Sequence, residues 1–179
     1  MKAKTLFSML SLCIAGWAGA AGAVDITAYG PIWDDANARV THTTYYSCNG
    51  SYHGALDIGN ATCGTWNMRG MLAGTRTWNV VTGYSNCAST PQTPANYVYT
   101  NLGGGHIFYQ YHHNHSPTSY TQTCDRCALG LVGATGQAYG AHVHGQHNYN
   151  GTAQTAWYSG YVTCGTKSSG SLTMGVVRI

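Results

Sequence analysis

Beyond the first two dozen residues, apolar and polar positions alternate with a period of two in short runs rich in β-branched and aromatic residues, cut by Gly, Asn, Ser and Pro. Almost nothing repeats at helical spacing. The runs predict strands over Arg39–Tyr46, Trp78–Tyr84, Asn96–Asn101, Gly105–His113, Ala141–Asn148 and Ser171–Val177. Leu56-Asp57-Ile58 reads as the start of a further strand, with Asp57 on one face and its neighbours on the other. The expected architecture is a mainly β, compact antiparallel sheet domain with little helix. Ala88–Ala95, with Pro91 and Pro94, reads as one long loop. No repeat, low-complexity tract or Pro/Ser linker divides the chain, so residues 24–179 are expected to form a single domain.

Residues 1–23 have a different pattern. Lys2 and Lys4 precede an apolar run from Leu6 to Ile14 and a small-residue stretch ending at Ala23, the layout of a secretory signal peptide cleaved after Ala23. The expected location is therefore secreted or periplasmic, with no membrane attachment after cleavage. What remains is long enough to bury roughly 70% of its unfolded surface, so the fold needs no external staple.

Composition narrows the chemistry. Charged residues make up 7% of the chain, and the 8 Lys+Arg form no basic patch. A typical domain is about a quarter charged, and without such a patch nucleic-acid binding by phosphate neutralisation is excluded. All five acids are aspartates (Asp25, Asp34, Asp35, Asp57, Asp125), which rules out a glutamate general base. Proton chemistry falls to the nine histidines.

Setting aside Cys13, six cysteines remain, an even number that reads as disulfides in an exported chain. Cys124 and Cys127 form the only close pair. That pair lacks the second CxxC of a zinc knuckle and the βαβ setting of a redox motif, so a local structural disulfide is favoured. Cys48 and Cys63 bracket His53 and Asp57, and a bridge between them would stiffen that loop.

Histidines concentrate in three segments. In the first, His53 and Asp57 are four residues apart, about 13 Å on a straight strand and too far for one metal. Both can bind one ion only if the chain bends between them, which Gly54 permits. A turn-capping Asp beside a surface His fits the segment equally well. In the second segment, His142 and His144 flank Val143; at i and i+2 of a strand they project to one face about 6.6 Å apart while Val143 turns to the core. They can be a ligand and a water-contacting group, or a surface pair. The glycine run from Gly130 to Gly140 suggests a tight turn delivering them to a cleft. The third segment holds His106, His112, His113 and His115. Here the Ile107/Tyr109/Tyr111 face is expected to be interior, which makes His113 the candidate to enter a shared site. His112 and His115 are expected to be exposed, with His106 at a strand end.

Together, His53-x-x-x-Asp57, Tyr111-x-His113 and the run from Val132 to His142-Val143-His144 resemble, in order and approximate spacing, the lysostaphin-type zinc metalloendopeptidases, which include the staphylolysin, beta-lytic and LytM-like enzymes. The resemblance covers roughly residues 50–146. It implies His53, Asp57 and His144 as zinc ligands, with His113 and His142 as catalytic groups beside a zinc-bound water. It also implies the duplicated-hybrid-motif fold with an open cleft, and a monomeric zinc metalloendopeptidase in which a zinc-bound hydroxide, assisted by two histidines, cuts peptidoglycan peptide or glycine-rich cross-bridge substrates. Two departures bear on substrate preference: Ala141 stands where a proline is common, and Gly145-Gln146 where an aromatic residue is usual. The alternatives are a non-catalytic secreted cell-wall or carbohydrate-binding β domain with a structural or degenerate metal site, and a metal-sequestering protein. The intact three-part set argues against both.

Overall fold

The computed structural model describes residues 23–32, 35–85, 87, 94–111, 119–179 and the backbone of 113–114. Residues 1–22 of the segment expected to be a signal peptide, most of the 88–95 loop, His112, His115 and the side chain of His113 lie outside the described residues. The described chain is almost entirely antiparallel β. The strands are β1 (Asp25–Tyr29), β2 (Arg39–His42), β3 (Leu56–Gly59), β4 (Asn67–Arg69), β5 (Arg76–Val81), β6 (Tyr97–Gly103), β7 (His106–Tyr111), β8 (His113–Asn114), β9 (Tyr120–Cys124), β10 (Ala128–Val132), β11 (Val143–Tyr149), β12 (Thr152–Gln154) and β13 (Thr173–Arg178). A single 3-10 turn, Tyr46–Cys48, is the only helical element among the described residues, and no described helix is long and apolar enough to cross a membrane.

Three sheets result. The largest runs β2-β3-β11-β7-β6-β5-β9, with β12 added on β11; β4-β10-β8 form a small second sheet, and β1 pairs with β13. The core between them collects Leu56, Ile58, Met68, Met71, Leu72, Trp78, Phe108, Leu129, Val143 and Met174, all fully buried. Each of the six runs predicted from the alternating pattern contains a strand, trimmed or shifted by a few residues at its ends.

On β7 the expected orientation is reversed. The buried face carries Phe108 and Gln110, not Ile107, Tyr109 and Tyr111. A glutamine can sit in the core because both ends of its amide are used: Gln110 Nε2 donates to the Arg69 carbonyl at 2.9 Å and its Oε1 accepts from Met71 N–H at 2.8 Å. Gln110 thus ties the large sheet to the chain leaving β4. The tyrosines take the other face, where Tyr97, Tyr99, Tyr109 and Tyr111 pack in a two-by-two array with neighbouring ring centroids 5.5–6.1 Å apart. A Gln110→Leu variant fills the same space but leaves a buried donor and acceptor unpaired, and it is expected to lower unfolding stability by about 2–4 kcal/mol in a denaturant titration.

The cysteines pair Cys48–Cys164, Cys63–Cys87 and Cys124–Cys127. The local Cys124–Cys127 bridge is as expected, whereas Cys48–Cys63 is not formed. Between those two residues the chain runs through β3, buried along its whole length. Cys48 therefore emerges at the β2–β3 connection and Cys63 beyond the opposite end of β3. Cys48 instead anchors the Tyr46–Cys48 turn to the segment at Cys164.

Candidate metal centre

Asp57 sits mid-strand in β3, buried and flanked on both sides by strands carrying histidines. In the register, Asp57 faces His42 of β2 on one side and His144 of β11 on the other. The bend required between His53 and Asp57 is present: Gly54 has φ 77°, in the left-handed region that other residues avoid. It brings His53 Nε2 to 3.2 Å from Asp57 Oδ2. His144 Nδ1 lies 2.9 Å from Asp57 Oδ1, and His142 Nε2 is set back at 3.8 Å from Oδ2. Val143 between them is fully buried, as the alternation requires. A ligand atom from each of His53, Asp57 and His144 lies within 4.8 Å of the others.

The outer nitrogens fix the tautomers. His53 Nδ1 lies 3.0 Å from the Thr43 carbonyl, and His142 Nδ1 lies 2.8 Å from the Gly140 carbonyl. His144 Nε2 lies 3.0 Å from Gln146 Oε1, whose own amide nitrogen donates to Asn148 Oδ1 at 2.7 Å. Each of these oxygens can only accept, so each ring carries its proton on the outer nitrogen when neutral. The inner nitrogens then present lone pairs to the carboxylate. Asp57 Oδ1 is buried without a hydrogen bond although His144 Nδ1 lies only 2.9 Å away. Unprotonated donors facing both oxygens of a buried carboxylate, one of which has no hydrogen bond, fit a cation between them. Two imidazoles and one carboxylate, with the outer N–H groups held by oxygens, are a donor set suited to zinc.

The electrostatics agree. Burial pushes the Asp57 carboxyl up, but His144, His42 and His53 outweigh it and hold the group well below the usual carboxylate range. For His53, burial works downward and the Asp57 carboxylate more than reverses it, so its pKa is raised. Burial dominates at His142 and lowers its pKa.

These side chains line a cavity of about 520 Å³ together with Tyr46, Gln137 and Tyr139. Its far wall is the glycine-rich connection between β10 and β11, closed by a bridge from Gly133 to His142 and turned at Gly136 (φ 82°). The backbone of His113 pairs with Val132, next to Gly133. The third histidine segment therefore meets β10 beside the bridge that carries His142.

Gly145 and Gln146 acquire structural reasons. A Cβ at Gly145 would come within 2.9 Å of Met71 Sδ, so any larger residue there requires the buried Met71 side chain to move. Gln146 holds the outer N–H of His144.

His42 was not among the residues singled out by sequence. Its Nδ1 lies 3.2 Å from Asp57 Oδ2. The contact is made across strands, and no spacing within the sequence encodes it; only the assignment of Arg39–Tyr46 as a strand pointed toward it. Tyr46, among fourteen tyrosines, was equally hidden, and its ring lies 4.5 Å from that of His53. A His42→Ala variant is expected to keep one zinc at saturation while losing about 10–100-fold in zinc affinity, measured by competition with a chromogenic chelator.

No protein-family model matches the chain, and no curated protein matches it significantly. Solved structures do. A zinc-containing peptidase from Vibrio cholerae aligns at 16% identity and TM-score 0.46, covering 72% of this chain and 38% of that one. The catalytic domain of the antimicrobial peptidase lysostaphin from Staphylococcus simulans aligns at 18% identity and TM-score 0.40, covering 74% of this chain and 87% of that one. The chain thus spans well under half the length of the Vibrio peptidase. At this level of similarity the functional argument rests on the geometry of the centre itself.

Proposed function

We propose that the protein is an exported zinc metalloendopeptidase that hydrolyses peptide bonds in bacterial peptidoglycan, in glycine-containing cross-bridges or stem peptides. The observation that carries the reading is the convergence of His53 Nε2 and His144 Nδ1 on the two oxygens of the buried Asp57 carboxylate, 3.2 Å from Oδ2 and 2.9 Å from Oδ1, with Oδ1 left without a hydrogen bond. His53, Asp57 and His144 would hold the ion. Zinc bound there would polarise a substrate carbonyl and acidify a water molecule. His142 supplies a general base: its Nε2 is unprotonated, its pKa is lowered, and the Gly140 carbonyl fixes its ring. The same nitrogen takes the proton from the attacking water and returns it to the leaving amine. His113, carried over from the resemblance, is the second histidine of that role. Export is supported by the N-terminal pattern and by three disulfides. A charge-poor cavity suits neutral glycyl peptides better than charged ones.

The test is incubation with purified peptidoglycan and with glycine-containing peptides, with and without a chelator, followed by identification of new amino termini. Chelator-sensitive cleavage at one bond type is expected. Sedimentation with the wall and no new amino termini would instead identify a non-catalytic binder.

A further inference from the structure

One side chain in the wall of the metal cavity has no role in holding the fold or the metal ligands. Tyr139, on the connection between β10 and β11, lines the cavity and is 80% exposed. Its side chain makes no hydrogen bond, ion pair or ring contact with any described residue. Tyr46, the other tyrosine of the lining, is already engaged, with its ring 4.5 Å from that of His53 and 5.4 Å from that of His42.

A single exposed tyrosine is ordinary on a protein surface. This one differs in how firmly its backbone is held. Just before it, Ala134, Thr135 and Ala138 are fully buried, Thr135 Oγ1 accepts from Asn96 N–H at 2.9 Å, and Ala138 N–H donates to the Gly136 carbonyl at 2.9 Å. Just after it, the Gly140 carbonyl lies 2.8 Å from His142 Nδ1, and His142 N–H donates to the Gly133 carbonyl at 3.2 Å. The loop is pinned on both sides of Tyr139, and the second pin is the histidine set back from Asp57. The ring is therefore offered beside the metal centre without the ordering cost that a loose loop would add to binding.

The rest of the lining narrows what the ring can meet. Thr41, Asn60 and Gln137 contribute neutral hydroxyl and amide groups, and Gly59, Gly140 and Ala141 contribute almost no side chain. Asp57 is the one acid in the lining, and it is buried among the metal-site histidines. A divalent ion held by two neutral imidazoles and one carboxylate leaves the centre with a net positive charge, which disfavours a cationic side chain on the Tyr139 ring. An uncharged peptide of small residues matches these groups, its amides facing the neutral polar side chains and its flat peptide units facing the ring.

We propose that Tyr139 is a substrate-contacting residue, its ring stacking on the backbone of an uncharged glycyl segment beside the bond that is cut. A residue without a side chain lets the peptide plane lie flat on the ring. Calling that peptide a substrate rests on the proposed function. The contact itself is a binding event and is measured as one, so the two readings can fail separately.

The test measures pentaglycine binding by isothermal titration to the full zinc-loaded protein and to its Tyr139→Ala and Tyr139→Phe variants, with zinc content determined for each. Where the wild type cuts pentaglycine, the dissociation constants are read in the His142→Ala background and KM and kcat in the active one; where it does not cut, they are read on the wild type directly. Tyr139→Ala is expected to weaken binding about tenfold and to raise KM alike, with kcat within about twofold and zinc content unchanged, because the contact holds ground state and transition state equally. Tyr139→Phe keeps the ring and is expected to stay within about twofold of the wild type. Unchanged binding in Tyr139→Ala, equal losses in the Ala and Phe variants, zinc loss in Tyr139→Ala, or no binding of pentaglycine by the wild type would each overturn the proposal. Binding that depends on the Tyr139 ring without cleavage of any wall peptide would keep the contact and remove the proposed function; cleavage indifferent to Tyr139→Ala would do the reverse.

Discussion

A His144→Ala variant is expected to contain essentially no zinc and to hydrolyse nothing, whereas His142→Ala keeps close to one zinc per chain and loses about 10²–10⁴ in kcat. The two residues are two positions apart on one strand edge, so they serve as controls for each other. His144 Nδ1 is 2.9 Å from Asp57 Oδ1, and its outer N–H is held by Gln146. Removing that ring takes away one of the three candidate ligands and leaves only His53 and Asp57 to hold the ion. His142 stands back at 3.8 Å with its outer N–H tied to the Gly140 carbonyl. That setback suits the proposed base serving the reacting water, and its loss is expected to spare the ion. Metal analysis of protein purified without chelator, together with initial rates on a glycyl peptide, reads both effects. Equal zinc loss in the two variants would mean that ligand and base are assigned the wrong way round.

The strand runs were legible because half-buried sheet strands alternate with a period of two, and β6, β7 and β11 follow that rule closely. The pairing of His142 with His144 followed from the same rule, and the bend at Gly54 from the distance that His53 and Asp57 must close. What escaped was non-local. His42 reaches Asp57 only because β2 pairs with β3, and Tyr46 faces the cavity from a turn that Cys48 pins to Cys164. The face of β7 differs from the expected Ile107/Tyr109/Tyr111 interior because a polar residue can be buried and aromatic ones can stay outside. Gln110 satisfies both ends of its amide inside the core, and the tyrosines pack on one another outside. Of the third histidine segment, the backbone of His113 pairs with Val132 beside the glycine-rich connection. Tyr111 lies on the open face, with its ring 5.4 Å from that of His144, and does not belong to the interior.

Activity and zinc content are expected to fall together as pH drops from neutrality, with both lost by pH 4. The sign follows from which form of each ligand binds the ion. Zinc needs the neutral imidazole of His53, so protons compete with it wherever the metal-free ring is protonated. Burial lowers that pKa but the Asp57 carboxylate raises it more, so the net shift is upward from the ordinary value of about 6.5 and competition begins on the neutral side of that value. Asp57 contributes in the opposite sense. Its carboxyl is held well below the usual range, so it stays ionised through this window and is not what releases the metal. In the metal-free protein the same two groups act on stability. The raised His53 pKa gives a contribution that is complete below about 6.5 and disappears as pH rises through the folded value; the lowered Asp57 pKa gives one that is complete above about 3.9 and is lost as pH falls toward its folded value. His142 and His147, whose pKa values burial lowers, the latter to about 4, act against His53 and withdraw stability as pH falls below about 6.5, so metal-free protein is expected to lose stability as pH falls toward 4, while the zinc-loaded enzyme is expected to be most active at or above neutrality. Thermal unfolding midpoints with and without chelator, measured alongside zinc content from pH 4 to pH 8, separate the two trends. Full activity at pH 4, or a zinc content that does not change across this range, would contradict an ion held by these histidines.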